Sequence, residues 1–293
     1  MKRIAVFPTL LTLGNAFCGF LSISYVADAV NRTDPGEAAR FMVHAAWMIF
    51  LAMAFDAFDG KVARVTGKAS HFGAELDSLA DVISFGVAPA YLVKVLVQIK
   101  APTFFNFHPR FAMLVSVLFV LCAALRLARY NVEARSERSD KPKASFQGLP
   151  SPAAAGTLAA LVLVFFELAN ADPRSEVLGL TPETRASIAQ VLVRVLPFTM
   201  PVLGYLMISK IPYTHMVNRY ASGRRPLAYL AQVLILLVAT VSQPELTLAA
   251  AFLGYAMFSP LLRLRSFTRR RRAEAPVARG PSCPSPTPPS GRI

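Results

Sequence analysis

Four aspartates occur within one short stretch of the sequence, at the facing ends of two apolar runs. The stretch from Asp56 to Asp81 reads DAFDGKVARVTGKASHFGAELDSLAD. On a helix that advances about 100° per residue, Asp56 and Asp59 are about 60° apart. Asp77 and Asp81 are about 40° apart by the same measure. Two helices joined by a short link can therefore present four carboxylates to one another, and ionised side chains near membrane depth are costly and usually functional.

The carboxylates share their helix faces with small residues. Gly60 and Ala63 lie on the face of Asp56, and Gly73 lies on the face of Asp77. These faces are shallow enough for a large ligand to approach. Four carboxylates this close would repel one another unless a cation were present. Oxygen ligands with no His or Cys among them suit Mg²⁺, Mn²⁺ or Ca²⁺ rather than zinc.

Carboxylate-bound Mg²⁺ or Mn²⁺ indicates phosphate chemistry, in which two ions stabilise the attacking and leaving oxygens. Lys61, Arg64 and Lys68 lie in the same stretch and would add positive charge for phosphate groups. The alternative is that the aspartates are solvated charges at helix ends. The combination of four aspartates with small residues on one face favours the metal site.

The apolar runs that flank this stretch predict an all-α membrane protein. The chain has 293 residues, 54% of them hydrophobic, and a mean hydropathy of +0.46. Soluble domains rarely have this composition, and a span of the hydrocarbon core takes about 20 helical residues. Eight candidate spans are predicted, at 8–29, 40–65, 73–98, 110–132, 150–170, 189–208, 226–242 and 245–263.

The basic residues indicate the orientation of these spans. The formal net charge is +14, and Lys and Arg concentrate in the links between apolar runs. Contact with anionic lipid headgroups explains this charge better than nucleic acid does, because no soluble basic domain remains. The positive-inside bias places both termini and the aspartates on the cytoplasmic side of the cell (inner) membrane. Residues 1–265 are predicted to form the transmembrane catalytic domain, and the basic, Pro/Ser-rich residues 266–293 a disordered tail.

The aspartate stretch resembles the signature of the CDP-alcohol phosphatidyltransferase family, D-x2-D-G-x2-A-R-x8-G-x3-D-x3-D. The matching positions are Asp56, Asp59, Gly60, Ala63, Arg64, Gly73, Asp77 and Asp81. The resemblance implies a core of six transmembrane helices, usually dimeric, with a polar cavity open to the cytoplasm. It also implies that the first three aspartates bind metal, and that Asp81, which can also ligate, is the general base.

Four further stretches resemble the bacterial and archaeal type of phosphatidylserine synthase within that family. They are 12–20, 76–90, 126–131 and 146–152. The resemblance covers about residues 5–210. It implies attack by the hydroxyl of L-serine on the lipid-side phosphorus of CDP-diacylglycerol, with CMP as the leaving group.

Residues outside the aspartate cluster are candidates for substrate binding. The predicted nucleotide- and phosphate-binding residues are Asn15, Gly60, Ala63, Arg64, Lys68 and Gly73. The predicted acceptor-binding residues are Arg126, Arg129, Asn131 and Ser151. Positive-inside anchoring of a helix end is the alternative for the arginines. A helix–helix hydrogen bond is the alternative for Asn15, and a simple helix-start turn is the alternative for the segment around Ser151.

Two alternative functions stay open at this point. A related phosphatidyltransferase could use glycerol 3-phosphate or inositol phosphate, but these anionic acceptors would call for extra basic residues in the pocket. An ion-coupled secondary transporter could also carry an intramembrane acidic site. The sequence shows no internal repeat, and the carboxylates lie near one membrane face, so the enzyme is favoured.

Overall fold

The protein is an all-α bundle in the parts of the chain that its computed structural model describes. These are residues 6–66, 71–100, 110–136, 148–170, 179–211 and 238–273, and no β-strand occurs within them. The helices are α1 Val6–Val30, α2 Pro35–Thr66, α3 His71–Asp81, α4 Ala88–Lys100, α5 Arg110–Ser136, α6 Ser151–Asn170, α7 Pro182–Ile208 and α8 Pro244–Ala273. A π-helical segment, Val82–Val87, joins α3 to α4.

Six spans in the described residues are long and apolar enough to cross a membrane. They are Pro8–Val30, Pro35–Val62, Phe72–Lys100, Arg110–Glu133, Ser151–Ala169 and Pro182–Ile208. Helices suit this environment because every backbone polar group is satisfied within the segment. The protein is thus a multi-pass membrane protein, and the six-helix core predicted from the sequence is confirmed.

Helix α6 is the centre of the bundle. It contacts α2, α4, α7 and α8, and its residues from Ala153 to Phe166 are all buried. Many of them are small, including Ala154, Gly156 and Ala160. Small side chains let neighbouring helix backbones approach closely, which favours association within a membrane.

The start of α6 is held against the end of α7 by backbone hydrogen bonds. The Gly148 N–H donates to the Ile211 carbonyl at 2.9 Å, and the Leu149 N–H donates to the Leu206 carbonyl at 3.0 Å. Gly148 has a φ of 87°, and a Cβ there would overlap the Met207 carbonyl oxygen. Only glycine fits this turn without strain, and the turn places Ser151 at the first position of α6.

The two predicted C-terminal spans can be compared with the structure only over the described residues. Most of the predicted span 226–242 lies outside the described residues, which resume at 238 with a helical turn. Helix α8 forms at the predicted eighth span, although it is not among the six apolar spans. It continues to Ala273, past the predicted domain boundary at residue 265, and 274–293 lie outside the described residues.

Candidate active site

Three of the four predicted metal ligands form one compact group. Asp56 and Asp59 lie in the last turns of α2, and Asp77 lies on α3. One carboxylate oxygen from each lies within 4.8 Å of the other two. Asp59 is buried, whereas Asp56 and Asp77 are partly exposed. The group therefore has both the proximity and the accessibility that a bound cation requires.

Asp81 occupies a different setting, one turn further along α3. It is not a member of the three-carboxylate group, although it is close enough to Asp56 and Asp77 for their charges to repel. Its Oδ1 accepts a hydrogen bond from Asn15 Nδ2 at 3.1 Å, and its side chain is buried. The four aspartates are thus brought together, with three in one group and the fourth held by an amide.

Helix α1 supplies the donors that hold two of these carboxylates. Besides Asn15, Thr12 contributes a hydroxyl that lies 3.0 Å from Asp59 Oδ2. Thr12 and Asn15 are three residues apart and so lie on one face of α1. Thr12 was missed by the sequence reasoning, although this spacing from Asn15 could have indicated it.

The π-helical segment fixes Asn15 from its other side. Ser84 Oγ donates to the Asn15 carbonyl oxygen at 2.9 Å, and Ser84 is fully buried. One turn along α1, a Cβ on Gly19 would overlap Ser84 Oγ and lie 2.8 Å from the Ser84 Cα. The absence of a side chain at Gly19 therefore allows α1 to approach the segment that follows Asp81. π-Helical turns are frequent at functional sites.

The three-carboxylate group fits a divalent cation. Asp77 Oδ1 is buried and has no hydrogen-bond partner within the described residues. The ligand atoms available in the group are all carboxylate oxygens, which suit hard cations such as Mg²⁺ or Mn²⁺. Repulsion between the carboxylates would be relieved by such an ion.

The predicted phosphate-binding residues are only partly described. Gly60 and Gly73 lie on α2 and α3 and are partly exposed beside the carboxylates. Ala63 and Arg64 belong to the last turn of α2, but their side chains lie outside the described residues, as does the whole of Lys68. The role predicted for these five residues stays a prediction.

Two of the predicted acceptor-binding residues, both on α5, donate hydrogen bonds to side chains on other helices. Arg126 Nη1, on α5, donates to Ser151 Oγ on α6 at 2.8 Å. Asn131 Nδ2 donates to Ser78 Oγ on α3 at 2.9 Å. Ser78 was missed by the sequence reasoning, although it lies next to Asp77. These contacts bring Arg126, Asn131 and Ser151 to the same end as the aspartates.

The fourth predicted acceptor residue, Arg129, has a partner on its own helix. Its Nε lies 2.7 Å from Glu133 Oε1, and the two side chains are 37% and 47% exposed. Ion pairs between exposed residues four apart on a helix are common and contribute little stability. The acceptor role of Arg129 stays a prediction.

A sequence model described as CDP-alcohol phosphatidyltransferase matches residues 5–184. The chain therefore belongs to the CDP-alcohol phosphatidyltransferase family, and the resemblance drawn from the aspartate stretch is confirmed. All four aspartates and the α1 residues that hold them lie within the matched region. This membership favours an enzyme over a secondary transporter.

Curated relatives within this family carry more specific names. The CDP-diacylglycerol–serine O-phosphatidyltransferase of Helicobacter pylori is 38% identical over 164 residues, which are 56% of this chain and 60% of the relative. The enzyme of the same name from Methanocaldococcus jannaschii is 36% identical over 172 residues, 59% of this chain and 64% of the relative. The archaetidylserine synthase of Methanothermobacter thermautotrophicus is 38% identical over 170 residues, 56% of this chain and 62% of the relative. The matched regions thus span less than two thirds of these relatives.

Proposed function

We propose that this protein transfers the phosphatidyl group of CDP-diacylglycerol to the hydroxyl of L-serine, with release of CMP. The observation that carries the proposal is the arrangement of the aspartates, three in one compact group that suits a cation and Asp81 held separately by Asn15. The names of the similar proteins support serine as the acceptor. Two of them are named for CDP-diacylglycerol and serine and the third for archaetidylserine, so serine occurs in all three names.

Asp81 is proposed as the general base. The serine Oγ attacks the lipid-side phosphorus, and the bond from that phosphorus to the bridging oxygen of CMP breaks. The hydroxyl proton passes to a carboxylate oxygen of Asp81. Asn15 positions this base, because the hydrogen bond from its Nδ2 fixes the orientation of the Asp81 carboxylate. A positioned base of this kind contributes about 10²- to 10⁴-fold to a rate.

Asp56, Asp59 and Asp77 are proposed to hold the metal, with Asp81 able to share it. Two ions, Mg²⁺ or Mn²⁺, would neutralise the charge on the pyrophosphate and on the departing CMP. Thr12 keeps the Asp59 carboxylate in place through its hydroxyl. Gly60 and Gly73, which have no side chains, leave space beside the carboxylates for the phosphate groups.

Asn15 is also proposed to contact the nucleotide. Its Nδ2 is used by Asp81, whereas its Oδ1 is buried without a hydrogen-bond partner within the described residues. A buried polar atom without a partner costs about 1–3 kcal/mol. A donor from the bound nucleotide would remove this cost. Ala63, Arg64 and Lys68 are proposed to line the same phosphate region on the strength of the family signature.

The active site is proposed to face the cytoplasm, with both termini on that side of the cell membrane. The bias of Lys and Arg toward the links at the aspartate end supports this orientation. A homodimer is proposed from the family resemblance. Exposed apolar side chains such as Leu114, Leu121 and Leu125 on α5 suit contact with lipid or with a second copy of the chain.

A product assay tests the proposed function. Purified protein is supplied with CDP-diacylglycerol, Mg²⁺ or Mn²⁺, and one candidate acceptor: L-serine, glycerol 3-phosphate or inositol phosphate. We expect CMP release and a new lipid with serine, and loss of both after chelation with EDTA. A lipid product from glycerol 3-phosphate or inositol phosphate, with none from serine, would refute the proposed acceptor. Activity that survives chelation would refute the metal site.

A further inference from the structure

Helix α8, which lies beyond the family-matched residues 5–184, packs into a notch in the central helix. Phe252 contacts Gly156 so closely that a Cβ on Gly156 would overlap the Phe252 ring. The same ring lies 5.6 Å from the ring of Phe50 on α2. Ala249 and Ala256, on the same side of α8, are buried. This face of α8 is therefore part of the core.

The order of the contacts shows that α8 runs antiparallel to α6. Glu245, at the start of α8, interacts electrostatically with Glu167, near the end of α6. Further along α8, Phe252 meets Gly156, near the start of α6. A helix rises about 1.5 Å per residue. Tyr255 therefore lies one turn closer than Phe252 to the aspartate end, at the level of the first turn of α6.

The first turn of α6 carries Ser151, the hydrogen-bond partner of Arg126. Tyr255 is partly buried against the core, and it interacts electrostatically with the Arg126 guanidinium. Side chains from α5, α6 and α8 thus lie near one another at this level of the bundle, and the charge of Asp81 also interacts with Arg126. Sequence reasoning placed two of these three residues in the acceptor site and gave no indication of Tyr255.

Arg126 retains hydrogen-bonding capacity for a ligand. Its Nη1 donates to Ser151, but its Nε is buried and has no hydrogen-bond partner within the described residues. A guanidinium presents five N–H donors in a planar fork that matches a carboxylate. A buried donor without a partner is costly, so a carboxylate bound here would satisfy it.

We propose that Arg126, Ser151 and Tyr255 form the subsite for the carboxylate of the acceptor amino acid. The proposal rests on the proposed serine-transfer function and adds to it a specificity-determining residue on α8. The Tyr255 hydroxyl donates to the acceptor carboxylate, and Arg126 pairs with the same group. Because the carboxylate is held on one side, the acceptor hydroxyl is directed toward Asp81.

The test is the substitution Tyr255→Phe, which removes the hydroxyl and keeps the ring. A hydrogen bond to a charged group contributes about 1.5–3 kcal/mol, so we expect the KM for L-serine to rise about tenfold or more. The KM for CDP-diacylglycerol and the thermal unfolding midpoint should stay unchanged. Tyr205→Phe on α7 is the matched control, since Tyr205 is 71% exposed, and it should leave all these values unchanged.

A second variant makes the test independent of α8. Arg126→Lys keeps the charge but removes the planar fork, and it should also raise the serine KM without changing the KM for CDP-diacylglycerol. An unchanged serine KM in Tyr255→Phe, or equal losses for both substrates, would overturn the subsite alone. A wild-type protein that releases no CMP with serine would instead overturn the proposed function and the subsite together.

Discussion

The four aspartates of the site have the same type of side chain but different neighbouring groups. Asp56, Asp59 and Asp77 face one another, so their mutual repulsion favours a bound cation. Asp81 instead receives an amide hydrogen bond from Asn15. A carboxylate that is oriented by a neutral donor is suited to accept a proton. The proposed division of roles therefore follows from the neighbours of each carboxylate rather than from its chemical type.

The substitution Asp77→Asn tests the metal group at the scale of one residue. An amide keeps the size of the side chain but removes a negative charge from the cation site. We expect CMP release to fall at least about 100-fold, because loss of a direct ligand exceeds the effect of losing an outer contact. The rate should recover in part as Mn²⁺ or Mg²⁺ is increased, measured with CDP-diacylglycerol and serine at saturating concentrations.

Asp28→Asn provides the matched control for Asp77→Asn. Asp28 is exposed near the end of α1 and lies away from the aspartate cluster. The control should release CMP at the wild-type rate. An Asp77→Asn variant as active as this control would contradict the proposed metal site.

At the scale of the helices, the close approach of α1 to the π-helical segment is proposed to align Asp81, the general base. Gly19 permits the approach, Ser84 donates to the Asn15 carbonyl, and Asn15 in turn donates to Asp81. None of these contacts is between neighbours in sequence. The sequence predicts one membrane span across 73–98, and within that span the structure has a π-helical turn at Val82–Val87. The turn lies where Ser84 bonds to α1, a contact that helical periodicity cannot reveal.

Gly19→Ala tests this approach. The added methyl group would overlap Ser84, so α1 and the π-helical segment must separate. Overpacking of this kind costs about 1–3 kcal/mol, and a misplacement of about 1 Å can lower a rate about 100-fold. We expect a lower kcat and a lower thermal unfolding midpoint, with the KM for serine little changed.

Gly254→Ala on α8 is the matched control for Gly19→Ala. No atom of the described chain outside its own helix lies within 4 Å of a Cβ built on Gly254. This variant should keep wild-type kcat and stability. If Gly19→Ala behaved the same way, the close approach would not be what aligns Asn15 with Asp81.

At the scale of the whole molecule, α8 extends the family core instead of forming a separate module. Its buried face contacts α6 through Phe252 and Gly156, and Tyr255 reaches the Arg126 region. The region that matches the family ends at residue 184. The core alone therefore accounts for the aspartate site, whereas the proposed acceptor subsite also uses α8.

Two truncations distinguish these contributions. A chain that ends after Leu264 keeps the described contacts of α8 with α6, and we expect its catalysis to be largely intact. A chain that ends after Gln243 loses α8, exposes the Gly156 notch and lacks Tyr255. It should have a lower thermal unfolding midpoint and a higher KM for serine. Near-complete loss of activity in a properly inserted chain ending after Leu264 would show that the basic tail is required.

The sequence by itself determined the membrane class, the family and the carboxylates of the site. Long apolar runs can form little except spanning helices, and the 56–81 stretch combines charge, small residues and helical spacing within one local segment. These features depend on composition and on neighbours close in sequence. The membrane class, the family and the carboxylates could therefore be predicted without the fold. The six-helix core and the family are confirmed.

Only the tertiary structure decided which groups meet across helices. It separated Asp81 from the three-carboxylate group, joined Thr12 to Asp59 and paired Arg126 with Ser151. It also brought Tyr255, from far along the chain, within electrostatic range of Arg126. Such contacts depend on the rotation and depth at which packed helices face one another. Periodicity identifies the buried face of a helix but does not identify the residue that it meets.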